Sequence, residues 1–195
     1  MAKLKLAVLI SGRGSNLQAL IDACAAGDFP ATVALVVANN PDAQGLARAD
    51  AGRIPTAVVE RHDHGDRDAF DAALSETIGR HDADLVCLAG FMSILGAGFV
   101  EQWRDRLINI HPSLLPAYRG LDTHARVLAA GIRTTGCTVH FVTAEVDDGP
   151  IIIQESVPVE PDDTPQTLAA RVLAAEHRIY PKAVRLIAEG LTQED

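Results

Sequence analysis

The chain has 195 residues, of which 48% are hydrophobic and 22% are charged, and its formal net charge is −9. This length and composition are typical of a globular domain with a hydrophobic core. The negative charge argues against general binding to nucleic acid, because the phosphate backbone requires a basic surface. The sequence has no signal-peptide or membrane-spanning pattern, and its three cysteines lie far apart. We therefore predict a cytoplasmic protein with free thiols.

In chain order, short apolar runs alternate with stretches of helical periodicity, which predicts an α/β fold with a doubly wound, mostly parallel sheet. Five strands are predicted in the first part of the chain, at residues 6–10, 32–38, 56–59, 85–89 and 107–110. The helices between them are predicted at residues 17–27, 40–52, 67–80 and 98–103. The second of these helices is predicted to be capped by Asn40 and Pro41.

The last part of the chain has a different pattern. Residues 138–143 and 151–157 predict a strand pair joined by an acidic loop, which places an antiparallel strand in the C-terminal half. A long helix is predicted to begin at Thr164 and Pro165, and Pro181 is expected to kink or split it. We predict one domain over residues 1–195.

A glycine-rich loop with the sequence SGRGSN lies between the first strand and the first helix. In this position the N–H groups of the helix N-terminus and its positive dipole favour phosphate. A dinucleotide fingerprint would require glycine at Leu17, and a Walker loop would require Gly-Lys-Ser/Thr. One interpretation is a single terminal phosphate bound by Gly14 and Ser15, with Asn16 assisting. The other is a tight turn that only caps the helix.

The fifth predicted strand carries Asn109 and His111, and Pro112 then ends it. Side chains alternate along a strand, so the amide and the imidazole point to the same side. The carboxyl edge of a parallel sheet is where open α/β folds bind ligands. These two groups suit oxyanion stabilisation and proton transfer. The alternative is a histidine that only fills the core.

An acidic turn, Asp147-Asp148-Gly149-Pro150, joins the last two predicted strands. Many Asp-Gly turns are simply solvated. If this one folds over the edge that carries His111, the Asp147 carboxylate would orient the imidazole and raise its pKa. We would then expect His111 to be cationic near neutral pH.

The sequence does not predict a metal site. His62 and His64 are close in the chain, but no third ligand with suitable spacing accompanies them. The chain also has no G-x-S-x-G motif, which leaves acid–base and electrostatic catalysis as the predicted chemistry.

Several separated motifs, in the same order along the chain, resemble the phosphoribosylglycinamide formyltransferases, also called glycinamide ribonucleotide transformylases. They are ISGRGSNLQA at 10–19, LAGFM at 88–92, NIHPSLLP at 109–116, TVHFV at 138–142, DDGP at 147–150 and EHRIYP at 176–181. This resemblance covers essentially the whole chain.

The resemblance implies transfer of a formyl group from the cosubstrate 10-formyltetrahydrofolate to the amine of 5-phosphoribosylglycinamide, in purine biosynthesis. The amine would attack directly, through a tetrahedral intermediate. The catalytic residues would be His111, Asn109 and Asp147. The N-terminal half, up to about residue 95, would bind phosphate, and residues 96–195 would form the folate and catalytic half.

The resemblance also implies two binding sets. The ribonucleotide would contact Gly14, Ser15, Asn16 and Glu176. The folate would contact Arg67, Met92, Ser93, Ile94, Leu95 and Asn109. Many relatives carry arginine where this chain has Ser93, so backbone contacts to the pterin are expected at that position rather than the family's side-chain contact. Both predicted partners are small molecules, with no nucleic acid or membrane partner, and the oligomeric state stays open, a homodimer being one alternative.

Other functions fit parts of the sequence. A formyltetrahydrofolate hydrolase, or deformylase, would use the same chemistry with water in place of the amine. Methionyl-tRNA formyltransferase has a further C-terminal domain and a basic surface for tRNA. A non-catalytic nucleotide-binding module would use only the glycine-rich loop and would leave Asn109, His111 and Asp147 without a role.

Overall fold

The computed structural model describes residues 2–190, which contain one seven-stranded sheet. The strands are β1 (Leu4–Ile10), β2 (Ala31–Ala38), β3 (Thr56–Val58), β4 (Leu85–Leu88), β5 (Leu107–His111), β6 (Thr134–Phe141) and β7 (Ile151–Pro158). The helices are α1 (Ser15–Ala25), α2 (Gly45–Ala51), α3 (Arg67–Gly79), α4 (Ala97–Gln102), α5 (Thr123–Ala129) and α6 (Pro165–Ala188). A short 3₁₀ turn covers Arg61–Asp63.

The strand order in the sheet is β3-β2-β1-β4-β5-β6-β7. Strands β1 to β5 pair in parallel, whereas β6 is antiparallel to both β5 and β7. The prediction of a doubly wound, mostly parallel sheet with an antiparallel strand in the C-terminal half is confirmed. Strand β2 lies on one side of β1, and β4 lies on the other side. Because the strand order reverses at β1, a crevice forms at the carboxyl ends of these strands.

Both faces of the sheet are buried, which explains the continuous apolar runs in the parallel strands. In β1, Leu6, Val8 and Ile10 belong to the cluster on one face, which includes residues of α1 and α6. Ala7 and Leu9 belong to the cluster on the other face, with residues of α3 and α4. Burying each large aliphatic side chain contributes about 1.5–3 kcal/mol. The two faces thus hold the sheet rigidly beneath its carboxyl edge.

The prediction of a helix cap at Asn40 and Pro41 is wrong. Asn40 closes a turn instead: its Oδ1 accepts a hydrogen bond from the Asp42 N–H at 3.0 Å, and its carbonyl accepts one from the Ala43 N–H at 3.2 Å. This local side-chain bond competes with helix formation. Helix α2 begins only at Gly45.

The predicted split at Pro181 is also wrong, because α6 runs from Pro165 to Ala188 without interruption, whereas the alternative of a kink stays a prediction. The neighbouring Tyr180 is fully buried, and its hydroxyl donates a hydrogen bond to the Leu88 carbonyl at 2.9 Å. Ala183 and Val184 are buried as well. Packing on the sheet therefore outweighs the hydrogen bond that proline removes. Helix α5 was not predicted at all.

None of the helices in residues 2–190 is long and apolar enough to cross a membrane.

Candidate active site

A cavity of about 570 Å³ lies at the carboxyl edge of the sheet, beyond the ends of β1, β4 and β5. This is a usual volume for a small-molecule site. Eight of the residues predicted from the sequence line the cavity: Asn16, Met92, Ser93, Ile94, Asn109, His111, Asp147 and Glu176. Four predicted residues do not line it: Gly14, Ser15, Arg67 and Leu95. The cavity thus brings together residues from both ends of the chain.

The acidic turn does fold over the edge that carries His111. The His111 Nδ1 lies 3.2 Å from the Asp147 Oδ2, and both side chains are largely buried, at 6% and 10% exposure. The Gly120 N–H donates to the same carboxylate oxygen at 2.9 Å. Burial raises the pKa of Asp147, but the neighbouring His140, the hydrogen bond from the Gly120 N–H and the nearby His111 outweigh it, so the net direction is downward. Asp147 is therefore a carboxylate at neutral pH.

Both ring nitrogens of His111 face oxygen atoms that can only accept a hydrogen bond. Nδ1 faces the Asp147 carboxylate, and Nε2 lies 3.0 Å from the Tyr118 carbonyl. A doubly protonated ring satisfies both contacts, whereas a neutral ring satisfies one. Burial nevertheless lowers the pKa of His111 below its usual value, although Tyr118 and Asp147 work in the opposite direction. The expectation that Asp147 makes His111 cationic near neutral pH is therefore wrong, because burial outweighs it.

His140 on β6 is part of the site, and sequence reasoning missed it. Its Nε2 lies 3.4 Å from the Asn109 Nδ2 and 3.6 Å from the Asp147 Oδ1. Its Nδ1 faces the Phe141 carbonyl at 2.7 Å, a contact that requires a proton on this nitrogen. His140 is opposite Asn109 in the antiparallel pairing of β5 and β6. The Nε2 atom can thus accept a hydrogen bond from the Asn109 amide, and the ring lies beside the Asp147 carboxylate.

The glycine-rich loop needs glycine at position 14 for two reasons. Gly14 has a φ of +68°, in the left-handed region, and a Cβ there would lie 2.6 Å from the Gly45 Cα. The Gly45 N–H donates to the Gly12 carbonyl at 3.0 Å, and the Arg48 Nε donates to the Arg13 carbonyl at 2.9 Å. Helix α2 thus fixes the loop at the start of α1.

We expect Gly14→Ala to lower the free energy of unfolding by about 2 kcal/mol or more, because the left-handed conformation alone costs an L-residue about 1–2 kcal/mol. Gly12→Ala is the matched control, since a Cβ at Gly12 meets nothing within 4 Å. Urea unfolding of both variants measures the effect. Equal stability of the two variants would contradict this account of the loop.

Asn16 and Glu176 connect the glycine-rich loop to α6. The Asn16 Nδ2 donates to the Glu176 Oε2 at 2.7 Å, and both residues are buried. The Asn16 Oδ1 is buried, and none of the described residues gives it a hydrogen-bond partner. Burial raises the pKa of Glu176 to about 7, although the Asn16 amide lowers it. The carboxyl group therefore titrates near neutral pH.

This pKa predicts a pH-dependent stability. A carboxyl group whose pKa is raised on folding favours the folded state at low pH, and this contribution is lost as the pH rises through about 7. We expect Glu176→Gln, which keeps an oxygen that can accept from Asn16, to be more stable than the wild type by about 1–3 kcal/mol at pH 8. At pH 4, below the usual pKa of 4.5, the two proteins should be nearly equal. Denaturant unfolding at both pH values tests this, and a constant difference would contradict it.

Residues 92–94 form one wall of the cavity. The side chains of Met92 and Ile94 are 71% and 75% exposed. The Ser93 Oγ accepts a hydrogen bond from the Asn39 Nδ2 at 2.7 Å, so this hydroxyl has a partner within the protein. Leu95 packs against the hydrophobic cluster beneath this wall, which explains why it does not line the cavity. Arg67 lies on the first turn of α3 and is exposed.

Further cavity residues come from the segment after β5 and from the loop before β7. They include Gly120, Leu121, Asp122, Thr123 and Val146. Nothing in their sequence spacing indicated that they would meet His111, because the intervening turns determine their position. The sequence offers one signal of a turn in this segment, namely Gly120 and Asp122, because glycine and aspartate are typical of tight turns.

One group of potential metal ligands is present among residues 2–190, and it lies outside the cavity. It consists of Glu60, His62 and Asp63 in and beside the 3₁₀ turn. The two carboxylates lie 3.5 and 3.4 Å from opposite nitrogens of the exposed His62 ring. His64, which the sequence paired with His62, is not in the group.

The fold and the site together are those of an α/β protein with an acid–base centre at the switch point of its sheet. Residues 4–184 match the family model described as formyl transferase, and the chain belongs to this family. The family resemblance expected from the sequence motifs is confirmed.

Similar proteins agree with this assignment. The chain is 45% identical over 186 residues to a phosphoribosylglycinamide formyltransferase of Haemophilus influenzae, covering 95% of this chain and 88% of that protein. It is 49% identical over 191 residues to the trifunctional purine biosynthetic protein adenosine-3 of Gallus gallus, covering 98% of this chain but 19% of that protein. The chain thus spans about a fifth of that longer relative. A crystal structure of glycinamide ribonucleotide transformylase 1 from Symbiobacterium toebii, 48% identical, matches with a TM-score of 0.94 and covers 96% of this chain and 89% of that chain.

Proposed function

We propose that this protein transfers a formyl group from 10-formyltetrahydrofolate to the amine of 5-phosphoribosylglycinamide, a step of purine biosynthesis. The observation that carries the proposal is a single cavity lined by both the His111–Asp147 pair and the Asn16–Glu176 pair. The first pair suits proton transfer, and the second lies next to a helix N-terminus that suits phosphate. The similarity to the Haemophilus influenzae phosphoribosylglycinamide formyltransferase supports this choice of substrates.

The ribonucleotide would bind at the start of α1. This helix has no side-chain cap and no acidic residue in its first turn, so the N–H groups of Ser15 and its neighbours are available to an anion. Gly14 lets the backbone approach the phosphate closely. The orphaned Asn16 Oδ1 needs a donor, and a ribose hydroxyl would supply one. Glu176 would accept a second hydroxyl when it is ionised.

The folate would bind against the apolar mouth of the cavity. Four of the large hydrophobic side chains exposed among residues 2–190 line this mouth: Met92, Ile94, Leu121 and Val146. Grouped apolar exposure of this kind marks ligand-binding surfaces. The pterin and benzoyl rings would cover these side chains, while the backbone of residues 92–95 offers polar groups to the pterin edge. Arg67 and Asn109 would complete the set.

The site residues would act on charge and protons. The amine attacks the formyl carbon, and the resulting tetrahedral adduct carries an oxyanion, to which Asn109 would donate a hydrogen bond. Because burial lowers its pKa, a larger neutral fraction of His111 is ready to take the proton that the attacking nitrogen loses. Asp147 would stabilise the imidazolium until the proton passes to N10 of the leaving tetrahydrofolate. For Nε2 to exchange this proton with substrate, the substrate must replace the Tyr118 carbonyl.

A direct assay tests the proposal. Purified protein is mixed with both substrates, and tetrahydrofolate is followed, with each substrate omitted in turn. We expect tetrahydrofolate only when both are present. Equal tetrahydrofolate and formate without the ribonucleotide would indicate a hydrolase, and ribonucleotide binding without turnover would indicate a non-catalytic binding module.

We also propose the cytoplasm as the compartment, because all three cysteines are free thiols and two are fully buried. The chain is proposed to act as one domain, in which the phosphate-binding part up to about residue 95 and the folate and catalytic part share the sheet. The partners are then the two small molecules.

A further inference from the structure

The segment of residues 92–96, here called the folate segment, is held in place by side chains from three other elements. Among residues 2–190, no backbone–backbone hydrogen bond involves its residues 92–95. Instead, the Met92 N–H donates to the Ser11 Oγ at 2.7 Å. At the other end of the segment, the Gly96 N–H donates to the Asp71 Oδ2 at 2.7 Å. Together with the bond between Asn39 and Ser93, these contacts determine the shape of the segment.

The Asp71 contact is unusual because it is buried. Asp71 is 5% exposed and lies on α3 between Phe70 and Leu74, which belong to the hydrophobic core. One carboxylate oxygen accepts from Gly96, and the other is buried without a hydrogen-bond partner in the part of the chain that the structure describes. Burial also raises the pKa of Asp71. An apolar side chain at this position would avoid the cost of desolvating a carboxylate, so folding alone does not explain the residue.

Gly96 lies very close to α3 at this point. A Cβ on Gly96 would be 2.7 Å from the Asp71 Oδ2 and 3.3 Å from the Arg67 Nε. Arg67 is one helical turn before Asp71, so both side chains lie on the same side of α3. The bond to Gly96 therefore sets the distance between the end of the folate segment and Arg67. These are two of the elements that are proposed to contact the folate.

We propose that Asp71 is a positioning residue for the folate cosubstrate. Its buried carboxylate anchors the Gly96 N–H and so holds the folate segment and Arg67 in the arrangement that binds the folate before it arrives. Preorganisation of this kind increases affinity, because less ordering is needed on binding. This inference rests on the proposed function, since it concerns the same cavity.

The test compares kinetics and binding in variants of the full chain. We expect Asp71→Ala to raise the KM for 10-formyltetrahydrofolate and the Kd for tetrahydrofolate about tenfold, as is typical when a hydrogen bond to a charged group is lost. The KM for the ribonucleotide should stay within about twofold of the wild-type value, because the substitution does not alter the ribonucleotide end of the cavity. Asp71→Asn keeps an oxygen acceptor and should restore the folate parameters to within about threefold of the wild type.

Ser75→Ala is the matched control. Ser75 is buried on the same helix and accepts a hydrogen bond from the Trp103 Nε1 at 3.3 Å, but it does not contact Gly96. It should lower stability without changing the folate KM. If Asp71→Ala does not fold, Gly96→Ala provides a second variant, since its Cβ would push Asp71 away, and it should raise the same KM.

Two results would overturn the inference: an unchanged folate KM and Kd in both Asp71→Ala and Gly96→Ala, or an equal rise of both substrate KM values. Failure of the proposed function is a different result, because the wild-type protein itself would then form no tetrahydrofolate in the presence of the ribonucleotide. Calorimetric titration with tetrahydrofolate reports on the folate segment in either case.

Discussion

His111→Ala is expected to lower kcat by about 10²–10³, within the range that a general acid–base group typically contributes. The variant loses the group that is proposed to move the proton between the two substrate nitrogens. The KM for the ribonucleotide should change little, because the Asn16–Glu176 pair does not contact His111. Steady-state kinetics with both substrates measures the split between kcat and KM.

His81→Ala serves as the control for this variant. His81 follows α3 and precedes β4, at the amino edge of the sheet, so it lies on the side opposite the cavity. The turnover number of His81→Ala should match that of the wild type. If His111→Ala retains near wild-type kcat, the catalytic role of this histidine is wrong, whatever the binding data show.

Asp147→Asn is expected to cause a loss of similar size, about 10²-fold in kcat. The substitution keeps the shape of the side chain but removes the negative charge 3.2 Å from the His111 Nδ1. Since the Asp147 charge raises the pKa of His111 and burial lowers it, removing the charge should lower this pKa further. The imidazolium then becomes harder to form during turnover.

An NMR titration of the His111 ring separates this electrostatic role from a merely structural one. The ring should take up its proton at a lower pH in Asp147→Asn than in the wild type. Asp148→Asn is the matched control, because Asp148 is the adjacent residue but pairs with the exposed Arg119. Unchanged turnover together with an unchanged His111 titration in Asp147→Asn would refute the role of this carboxylate.

The sequence predicted the local parts of the site well, because they depend on short-range geometry. Asn109 and His111 line one cavity, as the two-residue period of a strand requires. Gly14 sits in a turn between strand and helix where a left-handed residue is needed. The order of helices and strands followed from the same kind of periodicity, and the family motifs pointed to Asp147 and Glu176.

Predictions failed where a second interaction, local or tertiary, opposed the preference on which the prediction rested. Pro181 favours a broken helix, but the core beneath α6 keeps the helix continuous. Asn40 and Pro41 favour a helix start, yet the Asn40 side chain bonds to the Asp42 N–H and forms a turn. For His111, a nearby carboxylate favours a raised pKa, but the degree of burial cannot be obtained from sequence spacing, and it decides the direction.

The sequence by itself determined the alternating fold, the glycine-rich loop and the shared face of Asn109 and His111, because each depends on neighbours a few residues apart. Only the tertiary structure decided that His140 faces Asn109, since this requires the register between two antiparallel strands. The tertiary structure also decided that the carboxylate of Asp71, on α3, accepts from the N–H of Gly96, which lies 25 residues further along the chain. Contacts of this kind depend on how whole elements pack, and the free energy of packing is shared among many buried side chains rather than encoded in any one motif.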